Sequence, residues 1–150
     1  VLKQIVFFKR PQFWILAKAQ ACSRAEIDDD GVALVGLGLI PDTQRDLIAD
    51  MADEMITWTS VETAISFAIV GGSKIEASVR SSDPSLMVSD FCKKLGGRYG
   101  EGGGKKGKGA YRIPLSGASI DPDEDENDKQ DAWEVINRRE IKRIRRIIKK

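Results

Sequence analysis

The sequence predicts an α+β (mixed α/β) fold: a central mixed sheet with helices packed against it, a glycine-rich loop before the last strand, and a C-terminal helix. Three observations predict it. Leu47, Ile48, Met51, Met55 and Ile56 recur at spacings of three and four, the period of a helix face. Ile75, Ala77 and Val79 alternate with polar residues, the period of a strand with one buried side. Helical and strand-like stretches then interleave as helix, hairpin, helix, hairpin, helix, glycine run, strand, an order that sets helices against one sheet.

Composition narrows the chemistry. The 150 residues, 41% hydrophobic and 31% charged, suit one globular domain with an appendage. There is no histidine, which excludes a histidine-dependent triad and removes the commonest transition-metal ligand. The two cysteines, Cys22 and Cys92, make no disulfide framework and point to a reducing, cytoplasmic setting. No run approaches the ~20 apolar residues of a spanning helix, so no membrane partner is expected. The net charge of +1 hides an asymmetry. Residues 121–134 hold eight acids and one lysine, whereas 137–150 hold eight Lys/Arg and one acid.

Residues 1–11 read as an N-terminal strand or an interdomain linker. Pro11 opens a helix to about Cys22, with Phe13, Leu16, Ala17, Gln20 and Ala21 along one face and Phe13 and Trp14 as core. Asp30-Gly31 is a hairpin signal between Ala25–Asp29 and the apolar run Val32–Ile40. The aspartates at 28–30 lack the spacing and closing glutamate of a calcium loop. Pro41-Asp42-Thr43 begins a helix to about Trp58, with Asp42 or Thr43 placed to cap it. Its acids Asp46, Asp50, Asp53 and Glu54 fall mostly on the outer face. Val61–Val70 and Lys74–Ser81 form a hairpin about Gly71-Gly72-Ser73, leaving Arg80-Ser81 at a strand end. Leu86–Leu95 is a short helix burying Leu86, Val88, Phe91, Cys92 and Leu95, and Ala110–Leu115 is the final strand.

Between them lies Leu95–Tyr111, in which eight of seventeen residues are glycine and four are Lys or Arg. Glycine lets backbone approach a ligand closely, and consecutive N–H groups in one concavity make an anion nest. The run is read as a phosphate-recognising loop. Gly102–Lys108 has the spacing of a nucleotide P-loop, but Gly109 stands where Ser or Thr must follow, and a strand replaces the required helix. Gly102, Gly104 and Gly107 fit a dinucleotide GxGxxG only without its flanking strand and helix. Both motifs fail on context.

Arg80-Ser81, the short helix, Leu95-Gly-Gly and Gly102-Gly-Gly-Lys-Lys-Gly-Lys-Gly-Ala110 together resemble the DHH-associated domain, the C-terminal substrate-binding domain of DHH-family phosphoesterases. That superfamily includes RecJ-type exonucleases, oligoribonucleases and cyclic-dinucleotide phosphodiesterases. The resemblance covers residues 12–118. It implies that Arg80, Ser81, Gly102, Gly103 and Gly104, with Lys105, Lys106 and Lys108, hold the phosphates or terminal nucleotide of a substrate. The implied partners are single-stranded nucleic acid, an oligonucleotide or a nucleotide phosphate, and a DHH catalytic domain. Lys105 stands where the family usually has histidine; it supplies a point charge without the ring's stacking. The family's metal centre, with manganese or magnesium, is expected in a catalytic domain outside these residues. No catalytic residue, metal ligand or cofactor is assigned here.

Residues 119–131 read as an acidic linker and 132–150 as a basic helix with Trp133, Ile136, Ile141, Ile144, Ile147 and Ile148 along one side. Its basic face adds nucleic-acid affinity by counterion release, or its isoleucines pack on the domain while its charges pair with the acidic linker, or the segment is a mobile tail. The alternative to a phosphoesterase module is a stand-alone nucleic-acid-binding module, or one that self-associates as a homodimer through this helix.

Overall fold

The computed structural model describes residues 9–116, 120–121 and 123–149. Of the N-terminal strand or linker expected over residues 1–11, residues 1–8 lie outside them and 9–11 carry no strand; parts of the acidic run also lie outside. Ten principal elements follow in chain order: α1 (Gln12–Arg24), β1 (Glu26–Ile27), β2 (Val32–Ile40), α2 (Asp46–Met55), β3 (Thr63–Val70), β4 (Lys74–Ser81), α3 (Val88–Gly96), β5 (Glu101–Lys105), β6 (Lys108–Pro114) and α4 (Glu126–Ile148). The strands make one mixed sheet in the order β1-β2-β3-β4-β6-β5. Only β2 and β3 pair in parallel, because α2 carries the chain back between them. The other pairs are antiparallel.

Because side chains alternate across a strand, the sheet has two distinct inner faces. One carries Leu34, Ile65, Phe67, Ile69, Ile75, Ala77, Val79 and Tyr111 against α3 and α4. The other carries Ala33, Val35, Ala64, Ala68 and Val70 against α1 and α2. Buried on both sides, β3 is apolar at nearly every position, as expected for a central strand. Helix α2 buries Leu47, Ile48, Met51 and Met55, the stripe that its sequence period predicts.

Several local expectations change. In α1 Trp14 and Ala21 are buried as expected, while Phe13 and Leu16 are about half exposed, at 46% and 54%. Trp14 turns inward because its indole N–H donates to Asp50 Oδ2 at 2.9 Å; an amphipathic ring with a half-buried partner outcompetes Phe13 for that side. The second helix is broken at its start. Asp42–Gln44 form a 3-10 turn, α2 begins at Asp46, and no side chain caps it.

The C-terminal helix starts at Glu126, not at residue 132. Asp125 accepts from the Asn127 backbone N–H at 2.7 Å, and Glu126 and Asp128 lie in the first turn. Acids there complement the helix dipole, so part of the run that reads as linker is the helix start. Its isoleucines are occupied inside the domain: Ile144 is fully buried, and Ile136, Ile141, Ile147 and Ile148 pack on the same cluster. Trp133 lies 6.0 Å from Phe67 between ring centroids. A Cβ on Gly36 would collide with Trp133 and Asn137, so that glycine lets α4 approach β2. Tyr111 donates to Glu140 Oε1 at 2.8 Å, and Arg143 binds the same carboxylate at 2.7 Å. Among the described residues no helix is long and apolar enough to cross a membrane.

Candidate phosphate-binding face

The glycine run is not a loop. Gly102, Gly103 and Gly104 lie in β5, and the chain turns only at Lys106-Gly107 before returning as β6. Gly107 has φ +77°, a value that L side chains rarely adopt. The nest of consecutive N–H groups is therefore replaced by a ladder, in which alternate amides point to opposite sides.

Its glycines answer to packing on one face. A Cβ on Gly102 would overlap the Cys92 carbonyl oxygen of α3, and one on Gly109 would lie 2.5 Å from Cys92 Sγ and 2.8 Å from Val88 Cγ1. Gly104 is crowded by the Lys108 and Gly109 backbone. Helix α3 thus sits almost on the hairpin's backbone. Burial pushes the Cys92 thiol up to about 11, against an opposing pull from Arg80. It is an inert core residue.

Gly103 faces the other way, where a Cβ would meet nothing within 4 Å. Here α1 and α2 cover β2, β3 and part of β4, and stop. The registers of β4, β6 and β5 then array three rows across the uncovered face. Glu76 lies beside Arg112 and Glu101; Ser78 beside Ala110 and Gly103; Arg80 beside Lys108 and Lys105. Neighbours across such a row are about 5 Å apart. The middle row is a floor of small residues. With Arg45, Ile48, Glu76, Glu101 and Arg112 it lines a concavity of about 420 Å³.

The two outer rows differ in charge balance. Buried Glu76 accepts from Arg45 Nε and Nη2, and pairs with Arg112 Nε at 2.9 Å and Lys74 Nζ at 3.8 Å. Glu101 receives Arg112 as well, at 3.4 Å. That row is internally compensated. The opposite row holds three cations, and among the described residues its one ion pair is with Asp53, 2.7 Å from Arg80 Nε. Arg80 also donates to the Val79 carbonyl, and its side chain is 13% exposed. Lys105 and Lys108 have no ion-pair partner among the described residues. Like charges directly opposite across strands repel, so an anion over this row relieves repulsion that the fold leaves in place.

No family model matches the chain, and no curated protein matches it. Among solved structures it is similar to an exopolyphosphatase-related protein from Bacteroides fragilis, with TM-score 0.46 and 12% identity over 93% of this chain and 37% of that one. The C-Ala domain of alanyl-tRNA synthetase from Aquifex aeolicus gives TM-score 0.46 and 18% identity, over 77% of this chain and 96% of that domain. A pGpG-specific phosphodiesterase from Vibrio cholerae gives TM-score 0.40 and 16% identity, over 69% of this chain and 34% of that one. The chain thus spans about a third of the first and third of these proteins.

Of the residues singled out by sequence, the structure brings Arg80, Lys105, Lys108 and Gly103 to one face. Gly102 and Gly104 alternate to the other. Ser81 does too: its hydroxyl is 2.9 Å from Thr63 Oγ1 and accepts from the Asp83 backbone N–H. Lys106 sits at the exposed turn. Sequence reasoning passed over Ser78, Ala110, Arg45, Glu76 and Arg112. The alternation of β4 does carry a signal for Glu76 and Ser78, since it sets them on Arg80's side; which strand lies next to β4 carries the rest.

The described residues also fail a fit to the metal that the resemblance implies. Among them, no three His, Cys, Asp or Glu side chains are grouped to hold an ion. Asp53, the acid at the basic row, is engaged by Arg80.

Proposed function

We propose that the open face is a phosphate-recognition surface, and that this chain is the substrate-binding module of a DHH-type phosphoesterase. The row Arg80–Lys108–Lys105 carries the reading: three cations on adjacent strands, facing one acid. A substrate phosphate lies over the row, where Arg80, held by Asp53, offers a fixed donor and the two lysines offer mobile charge. The attached nucleoside lies over Ser78, Ala110 and Gly103, whose small side chains leave it room. Ser78 Oγ is the hydrogen-bonding group in that floor. Metal-dependent hydrolysis belongs to a separate catalytic domain; the residues here bind and orient.

The test is binding of a fluorescent 5′-phosphorylated dinucleotide, followed by anisotropy. Changing Arg80 and Lys108 together to alanine weakens it at least about tenfold and lowers the salt slope by about 1 to 2, with the circular dichroism spectrum unchanged. An unchanged Kd removes the proposal.

A further inference from the structure

The open concavity does not end at Arg112. A second hollow of about 270 Å³, lined by Lys74, Tyr99, Gly100, Glu101, Arg112 and Pro114, shares Glu101 and Arg112 with it. That hollow in turn shares Tyr99 and Pro114 with a groove of about 620 Å³ on the opposite side of the sheet. The groove runs between α4 and the turn after α3, and Arg98, Arg139, Lys142, Arg143 and Arg146 line it. Its single acid, Glu140, is already bound by Tyr111 and Arg143.

The three hollows thus form one path: from the small-residue floor along β6, past the sheet end at Tyr99, and onto α4, with the basic row Arg80–Lys108–Lys105 flanking its start rather than lining it. Resting on the function proposed above, we infer that its ligand is a single-stranded nucleic acid long enough to follow this path, and that the α4 groove is its second backbone-binding site. Four features favour that occupant. Arg98, Arg139, Lys142 and Arg146 have no ion-pair partner among the described residues, so their charge is available to phosphates. Tyr99 is 77% exposed where the path turns, and Arg98 lies 5.5 Å from its ring centre. An aromatic ring beside cations is the arrangement on which unpaired bases stack. Length is the fourth: Lys108 to Pro114 spans about 20 Å of strand, and Ile136 to Arg146 about 15 Å of helix. A dinucleotide cannot occupy both ends.

The experiment pairs two ligands with two variants of the 150-residue chain. The ligands are a 5′-phosphorylated dinucleotide and a single strand of about ten nucleotides. One variant changes Arg139, Lys142 and Arg146 to alanine, all exposed; the other is the Arg80→Ala, Lys108→Ala variant. The groove variant loses about tenfold or more in affinity for the long strand, with a salt slope shallower by about 2, and holds the dinucleotide within about twofold. Tyr99→Ala weakens the long strand about fivefold or more. Wild-type affinity of the groove variant for the long strand overturns the inference and leaves the open-face reading intact. If the row variant binds both ligands normally while the groove variant fails, the open-face reading falls, and the continuous path with it. Equal competition by polyglutamate at matched charge also overturns the inference, in favour of an acidic protein surface.

Discussion

Gly102 and Gly103 are neighbours in one strand and do opposite work. Gly102 faces α3, where the Cys92 carbonyl occupies the space a side chain would need; Gly103 faces open solvent above Ser78 and Ala110. The same contrast holds for the whole hairpin. One side is packed so closely that glycine is required, and the other is bare. The difference teaches that a glycine run can be a packing device and a binding floor at once, with strand alternation dividing the two roles.

The largest expected effect breaks the packed side. Gly102→Ala forces α3 off the hairpin and costs about 3 kcal/mol, whereas Gly103→Ala shifts stability by less than about 1 kcal/mol. Urea midpoints at a shared m-value measure both. Equal losses would remove the two-sided account. Gly103→Val inverts the comparison: the protein melts within a few degrees of wild type, yet dinucleotide affinity falls about tenfold because the floor is filled.

Cys92 gives an intermediate effect on the packed side. Its folded pKa is raised from 9.0 to about 11 by burial, so the folded state binds more protons than the unfolded one at alkaline pH. Stability is then full below pH 9 and falls as pH rises through 9 to 11. In Cys92→Ala, less stable at neutral pH, this component of the slope is absent. Tyr111, pushed well above 10 by burial and by Glu140, contributes a later fall that Cys92→Ala retains. A slope identical in both proteins over pH 9–11 would contradict this assignment.

The smallest effect belongs to the bare side. Asp53→Asn releases Arg80 from its one carboxylate partner. Dinucleotide affinity rises about twofold to fivefold, and stability falls by about 1 kcal/mol or less, since Asp53 is exposed while Arg80 is largely covered. A loss of affinity would instead make Asp53 the residue that orients Arg80.

Sequence patterns yielded the elements more readily than the site. The stripe of α2 and the alternation of β4 were legible because burial repeats at a fixed period. The Asp30-Gly31 turn was legible because it depends on residues adjacent in the chain. Arg80 and the lysines at 105 and 108 were picked out by charge and position, with their joint row invisible. The acidic start of α4 was hidden, since acids at a helix N-terminus and acids in a linker have the same composition. Phe13 and Trp14 were misjudged relative to each other because the deciding partner, Asp50, lies thirty-six residues away.

What the sequence by itself determined is the existence of the four helices and of the strands other than β5, the absence of histidine chemistry, and the placing of Arg80 at the end of a strand. Those follow from local periods and composition. Only the tertiary structure decided that the glycine run is a strand pair, that β6 lies beside β4, and that α1 and α2 stop short of it. Strand order and helix coverage arise from long-range packing, and they alone turn three separate cations into one row on an open face.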